Sequence, residues 1–186
     1  MKVLLFNAGA KNYGATQEIL TIVKNQIPIT AIVNSICLGD VHIQFCKGCK
    51  SCYDTGNCFQ EDNMEAIINE IDDSDIIIIA SPSYWADIPG QFKVFIDRCT
   101  VYSDTNPNPN HRELKPGKKC YVIALRTGKR PVECEHIIES INHWCGHMKI
   151  DMIDSMYFCE VSNKEDILQY KVSIIEKSKK WFEIRR

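Results

Sequence analysis

Residues 75–98 read DIIIIASPSYWADIPGQFKVFIDR, and this stretch decides the fold. Ile76, Ile77, Ile78 and Ile79 form an unbroken apolar run bounded by turn residues. A run without polar alternation is a strand buried on both faces, as in a parallel sheet covered on each side. Ser81-Pro82 is expected to end the strand, because proline has no N–H for a ladder. Ser83, Tyr84 and Trp85 then make a short polar-aromatic loop. After Pro89 the period changes. Phe92, Phe95 and Ile96 fall at helical spacing, and Asp97-Arg98 closes the amphipathic stretch. In an open parallel sheet, ligands bind outside the carboxyl ends of the strands. A flat aromatic ligand could lie against Tyr84 and Trp85 while N–H groups of the loop address its polar edge. The plain alternative is an ordinary crossover whose two aromatics pack locally.

The flanking chain repeats the alternation. Lys2–Phe6 reads as a first strand, and a helix opened or capped by Thr16 follows, with Ile19, Leu20 and Val23 on one face. Ile29–Ile36 is a second apolar segment, and Cys37–Asn57 has no period and reads as loop. Asp62–Ile71 is helical, with Met64, Ile67, Ile68 and Ile71 on one face. Asp104–Pro116 contains TNPNPN and is expected to protrude as a loop. Cys120–Leu125 is a fourth strand, Val132–Met148 a helix and Met152–Cys159 a fifth strand. Asp166–Ile184 is a closing helix with Ile167, Leu168, Val172, Ile175 and Trp181 inward, ending near Lys179, Lys180, Arg185 and Arg186. Strands alternating with helices imply a parallel α/β sheet covered on both faces. The expected fold is a three-layer flavodoxin-like sandwich with five parallel strands in the order 2-1-3-4-5. Residues 1–186 read as a single domain, with a cysteine-rich loop, 46–58, inserted after the second strand.

The bulk numbers narrow the class. A chain of 186 residues is long enough for one substantial core. Its net charge of −2 gives no reason to propose a nucleic-acid or acidic-membrane partner. MKVLLFNAGA is too short an apolar run for a signal peptide or membrane span, so a cytoplasmic protein is expected. Ten cysteines in a reducing compartment argue for metal binding, redox chemistry or buried free thiols rather than disulfides.

The loop Asn7–Thr16, NAGAKNYGAT, joins the first strand to the first helix. A helix N-terminus offers unpaired N–H groups and a positive dipole end. Gly9 and Gly14 let the backbone approach an anion, Thr16 adds a hydroxyl and Lys11 adds charge. The Gly-Lys-Ser/Thr of a P-loop is absent, and Gly9 and Gly14 are too far apart for a dinucleotide fingerprint. One phosphate is therefore expected, unless this is a simple polar turn.

These stretches resemble the NADPH-dependent FMN reductase and iron–sulfur flavoprotein group of flavodoxin-like proteins. In that family the first loop commonly reads Gly-Ser-Pro-Arg-x-x-Gly-Asn-Thr. Gly9, Ala10, Lys11, Gly14, Ala15 and Thr16 occupy the Ser, Pro, Arg, Gly, Asn and Thr places. The family's second motif is Ser-Pro-Val-Tyr-x-x-x-Ile-Pro-x-Gln-Leu-Lys-x-Phe-Ile-Asp-Arg. Here Ser81, Pro82, Tyr84, Ile88, Pro89, Gln91, Lys93, Phe95, Ile96, Asp97 and Arg98 match it. The resemblance implies FMN, with its phosphate at Gly9, Lys11, Gly14, Ala15 and Thr16, and its ring beside Ser81, Pro82, Ser83, Tyr84 and Trp85. The third loop, Arg126–Arg130, is usually glycine-rich in the family and borders the flavin. Here it offers Thr127 and Gly128, and its added Arg126, Lys129 and Arg130 could recognise a pyridine-nucleotide phosphate or simply form a solvated basic turn.

Cys46, Cys49, Cys52 and Cys58 place four thiols within thirteen residues. Iron–sulfur clusters require thiolate ligands, commonly four. Gly48 and Gly56 allow tight turns, and Lys47 and Lys50 could offset cluster charge. The spacing departs from the ferredoxin run but resembles the compact motif of iron–sulfur flavoproteins, which implies a [4Fe-4S] cluster. Zinc, redox-active thiols and a cluster-free role stay open.

The expected activity is FMN-dependent electron transfer between NAD(P)H, or a reduced ferredoxin-like carrier, and a small acceptor. Hydride transfer to flavin requires no side-chain acid or base, so no residue is assigned a catalytic role. The alternatives are an electron carrier without its own diffusible substrate and a zinc-stabilised binding module. A homo-oligomer is expected, with the cysteine loop and the Asp104–Pro116 loop reaching a neighbouring subunit.

Overall fold

The computed structural model describes residues 1–183; the end of the expected closing helix at Ile184 and the basic pair Arg185 and Arg186 lie outside the described residues. Strands β1 (Lys2–Asn7), β2 (Ile32–Cys37), β3 (Ile76–Pro82), β4 (Lys119–Leu125) and β5 (Asp151–Phe158) form one sheet. Its order is β2-β1-β3-β4-β5, and every neighbouring pair is parallel. Helices α1 (Ala15–Lys24), α2 (Ser51–Thr55), α3 (Met64–Asp73), α4 (Gly90–Arg98), α5 (Val132–His147) and α6 (Lys171–Phe182) complete the chain. This is the expected 2-1-3-4-5 arrangement. Among the described residues no helix is long and apolar enough to cross a membrane.

The isoleucine run accounts for the layering. Ile77 and Ile79 join Leu4, Phe6 and Val122 in a core with side chains of α3, α4 and α5. Ile76 and Ile78 join Val3, Leu5 and Ile123 in a second core with side chains of α1 and α6. Burial of each isoleucine contributes about 1.5–3 kcal/mol, so β3 is stable only where both faces are covered. Phe92 and Phe95 project from α4 onto Phe6, with ring centroids 5.8 and 5.3 Å away. The motif helix is thereby seated beneath the carboxyl end of β1.

The structure corrects several expectations. β3, however, ends at Pro82 as expected, and the Ser83 N–H then bonds the Leu125 carbonyl at 2.7 Å. Pro82 is tolerated because it is the strand's last residue. β2 begins at Ile32 rather than Ile29, because its partner β1 begins at Lys2, paired with Ile32. Ile29 is left fully exposed in the preceding turn. Gly14, not Thr16, is the N-cap of α1. Cys37–Asn57 contains a 3-10 turn, Leu38–Asp40, as well as α2. The closing helix opens as a 3-10 segment, Glu165–Tyr170, before α6. That tighter winding changes the phase, so Leu168 and Val172 face solvent while Ile167, Ile174 and Trp181 are buried.

The Asp104–Pro116 loop does not protrude either. The Asn106 amide donates to the Cys52 carbonyl at 3.4 Å, and the Asn108 amide donates to those of Tyr53 and Asp54 at 3.2 and 2.8 Å. The terminal carbonyls of a helix need donors, and these two buried asparagines supply them to α2. The cysteine segment is therefore stitched to the loop after α4.

Arg98, at the end of α4, anchors the other side of that segment. It is buried, and its Nη1 donates to Asp62 Oδ2 at 2.5 Å and to the Gln44 carbonyl at 2.9 Å. Asp62 also accepts the Gln44 and Met64 N–H groups, each at 2.9 Å. Burial pushes the Asp62 carboxyl upward, but the Arg98 hydrogen bond and the two N–H donors outweigh it and hold the group below its usual range. A depressed carboxylate contributes stability that is complete above its unfolded value of about 3.9 and is lost as pH falls through the folded value. Urea unfolding is therefore expected to show stability declining below about pH 4. Asp62→Asn is expected to cost about 3–5 kcal/mol near neutral pH, since Arg98 would be left buried and unpaired. A variant as stable as the parent would remove this pair from the account.

Candidate functional site

The carboxyl ends of β1, β3 and β4 open on a cleft of about 460 Å³. One wall is the first loop, which is held by its own polar groups. The Asn7 side-chain Oδ1 accepts the Gly9 N–H at 2.9 Å, and its Nδ2 donates to the Lys11 carbonyl and to Gln17 Oε1, each at 3.0 Å. Gln91 of the second motif donates to the Ala8 carbonyl at 3.3 Å. Gly39 packs so closely that an added Cβ would lie 2.2 Å from the Ala10 carbonyl oxygen. Gly14 sits at φ 90° at the head of α1, where no side chain caps the helix. The N–H groups of the first turn thus face the cleft mouth with a positive dipole end.

Gly9, Lys11, Gly14, Ala15, Thr16, Pro82, Ser83, Tyr84 and Thr127 all line this cleft. Three other expected site residues do not. Ser81 is completely buried within the sheet. Trp85 is fully exposed on a two-residue turn, where the Tyr84 N–H bonds the Asp87 carbonyl at 2.9 Å. Trp85 and Ala86 stand at φ 52° and 65°, a left-handed pair that usually needs Asn-Gly. Gly128 lies against the Arg126 guanidinium, with Nη2 2.1 Å from where a Cβ would be.

The remaining wall, Val161–Glu165, carries no motif and was not legible in the sequence. It reaches the cleft because β5 pairs with β4, and because the Val161 N–H bonds the Arg126 carbonyl at 2.9 Å. Glu133 was missed for the same reason. From the first turn of α5 it accepts the Ser83 hydroxyl at 3.1 Å and pairs with Arg126 at 3.0 Å. Arg126 is therefore not part of a solvated basic turn, whereas Lys129 is exposed and approaches Glu160 at 3.9 Å.

The four cysteines of the run line a second cavity of about 230 Å³, floored by Arg98, Thr100 and Val101. Burial, and the nearby thiols of Cys58, Cys46 and Cys49, push the Cys52 thiol up. Gln60 Nε2 lies 4.0 Å from the Cys58 sulfur. Lys47 is placed over the Phe59 ring, 5.2 Å from its centroid. Four thiols opening on one cavity are the donor chemistry that an iron–sulfur group requires. Among the described residues, however, no three His, Cys, Asp or Glu side chains converge on a metal-holding geometry.

Comparison with known proteins agrees with this architecture. The sequence model of the NADPH-dependent FMN reductase family matches residues 1–157. An iron-sulfur flavoprotein of Clostridioides difficile is 37% identical over 160 residues, covering 81% of this chain and 67% of that protein. An iron-sulfur flavoprotein of Archaeoglobus fulgidus is 29% identical over 129 residues, covering 69% of this chain and 56% of that protein. The matched stretch thus spans little more than half to two thirds of these relatives. The FMN-dependent NADH-azoreductase of Bacillus anthracis, solved in complex with FMN, shares the fold, with a TM-score of 0.72 at 15% identity over 98% of this chain and 100% of that one. With this sheet order and a match extending from the first residue through most of β5, the chain belongs to the NADPH-dependent FMN reductase family.

Proposed function

We propose that this chain binds FMN along the carboxyl edge of its sheet and passes electrons between NAD(P)H and a small acceptor. One observation carries the reading: an uncapped helix N-terminus and an aromatic loop share a single cleft. N–H groups of Gly14, Ala15 and Thr16 would hold the phosphate, with Lys11 adding charge. Gly9, Pro82, Ser83, Tyr84 and Thr127 would border the ring. Ser81 would support the loop from beneath, Gly128 would make room for Arg126, and Trp85 would stand at the rim. Bound FMN supplies the redox chemistry, and the protein's part is to hold and orient it. A second copy of the chain would cover the exposed Phe45, Phe59 and Trp85.

We further propose Cys46, Cys49, Cys52 and Cys58 as ligands of an iron–sulfur cluster that exchanges electrons with a ferredoxin-like carrier. The shared cavity and the names of the relatives support this reading.

Two measurements test these proposals. FMN titrated into the apo-protein is expected to lose fluorescence saturably, and Gly39→Ala, which forces the Ala10 carbonyl aside, is expected to weaken binding about tenfold or more. Absence of FMN binding by the parent protein would refute the flavin reading. Anaerobic reconstitution is expected to give about four irons and matching sulfide per chain, falling sharply in Cys58→Ser. Iron well below that in the parent protein would sink the cluster while leaving the flavin reading intact.

A further inference from the structure

The last two turns of α5 carry a pair of histidines that the flavin and cluster readings leave without a role. His143 and His147 stand one turn apart, so their side chains meet on one face of the helix. Their Nε2 atoms lie 3.2 Å apart, with ring centroids 4.6 Å apart and ring planes at 86°. Both rings are open to solvent: His143 is exposed, and the His147 side chain keeps 40% of its surface. Cys145, between them in sequence, is buried in the core instead. Both histidines lie outside the residues that line the cysteine cavity.

Asp104 holds one of the two rings. Its Oδ1 lies 2.9 Å from His147 Nδ1, and its N–H bonds the His147 carbonyl at 3.0 Å. The hydrogen bond from His147 holds the Asp104 carboxyl below its usual range, so it stays ionised. An ionised carboxylate can only accept, so Nδ1 carries the proton and Nε2 of the neutral ring is left with its lone pair. A carboxylate behind an imidazole is the arrangement that orients histidines as metal ligands. His143 then supplies the proton in the contact between the rings. Because that ring is exposed, water can return the proton to its Nδ1, which frees a second lone pair beside the first. The charge of nearby Lys149 is offset by Glu113, at 2.6 Å.

A metal ion about 2.0–2.1 Å from each nitrogen would subtend about 100° at their 3.2 Å separation, which lies between octahedral and tetrahedral angles. Imidazole suits zinc, copper and nickel, whereas calcium and magnesium take oxygen ligands. Among the described residues no third His, Cys, Asp or Glu completes a metal-holding group here, so water would fill the remaining positions.

We propose that His143 and His147 bind one zinc ion through their Nε2 atoms, with Asp104 as the positioning residue of His147. The site is independent of the flavin cleft. It lies where the loop after α4 begins, and that loop supplies the Asn106 and Asn108 amides that hold α2. Zinc that binds the folded chain alone therefore raises its melting temperature.

The test is calorimetric titration of zinc chloride into the parent protein, His143→Gln/His147→Gln and Asp104→Asn, with magnesium chloride as the control. The cysteine run is common to all three and contributes equally. The parent is expected to take up one zinc more than the double variant, and to melt at a higher temperature with zinc than without. Asp104→Asn is expected to weaken that additional site about tenfold. Long-range proton–nitrogen correlation spectra of the parent are expected to show the Nε2 signals of both rings shifting with zinc while Nδ1 keeps its proton. Without zinc, the same spectra are expected to show His147 as a single tautomer in the parent and a mixture in Asp104→Asn, a signature that a merely structural aspartate would not give. The ring spectra carry the test alone if a variant fails to fold. Equal zinc uptake by parent and double variant, unshifted ring nitrogens, an equal response to magnesium, or a dissociation constant weaker than about 1 mM would each overturn the proposal.

Discussion

Everything at the carboxyl edge depends on one constraint: β3 can be stable only at the centre of the sheet. Its isoleucines feed two cores, on opposite faces of the same strand. Neither face tolerates water, so β1 and β4 must flank it, and helices must cover both sides. That requirement brings the ends of β1, β3 and β4 to one edge. The cleft is the opening left where the three chains turn away from the sheet.

The second motif serves this geometry twice. Its helix seats Phe92 and Phe95 against Phe6, while Gln91 of the same helix ties back the first loop. At the far end Arg98 reaches the segment that carries the cysteines, through Asp62 and the Gln44 carbonyl. One nine-residue helix therefore braces both the cleft and the cysteine cavity. The two cavities share a rigid support.

Polar side chains complete what apolar packing starts. Asn7, Asn106, Asn108 and Glu133 lie in loops or at element ends, and each satisfies backbone or side-chain groups of a different segment. Such bonds contribute modestly one by one, but an unmet buried partner is costly. They fix the positions of the loops relative to one another, and loop position is what a binding site requires.

The sequence by itself determined the strands, their order and the residues most suited to a phosphate and a ring. Four successive isoleucines and the switch to helical spacing after Pro89 are local signals, and local signals survive without coordinates. Only the tertiary structure decided which residues meet. Val161–Glu165 and Glu133 enter the cleft through pairing and packing with chain far away in sequence, and Ser81, despite its motif, faces inward. The Asp104–Pro116 loop folds back because α2 leaves carbonyls that need donors, a demand visible only once both segments are in place. Periodicity reports which face of an element is apolar, but the partner of a polar group is set by where the rest of the chain arrives.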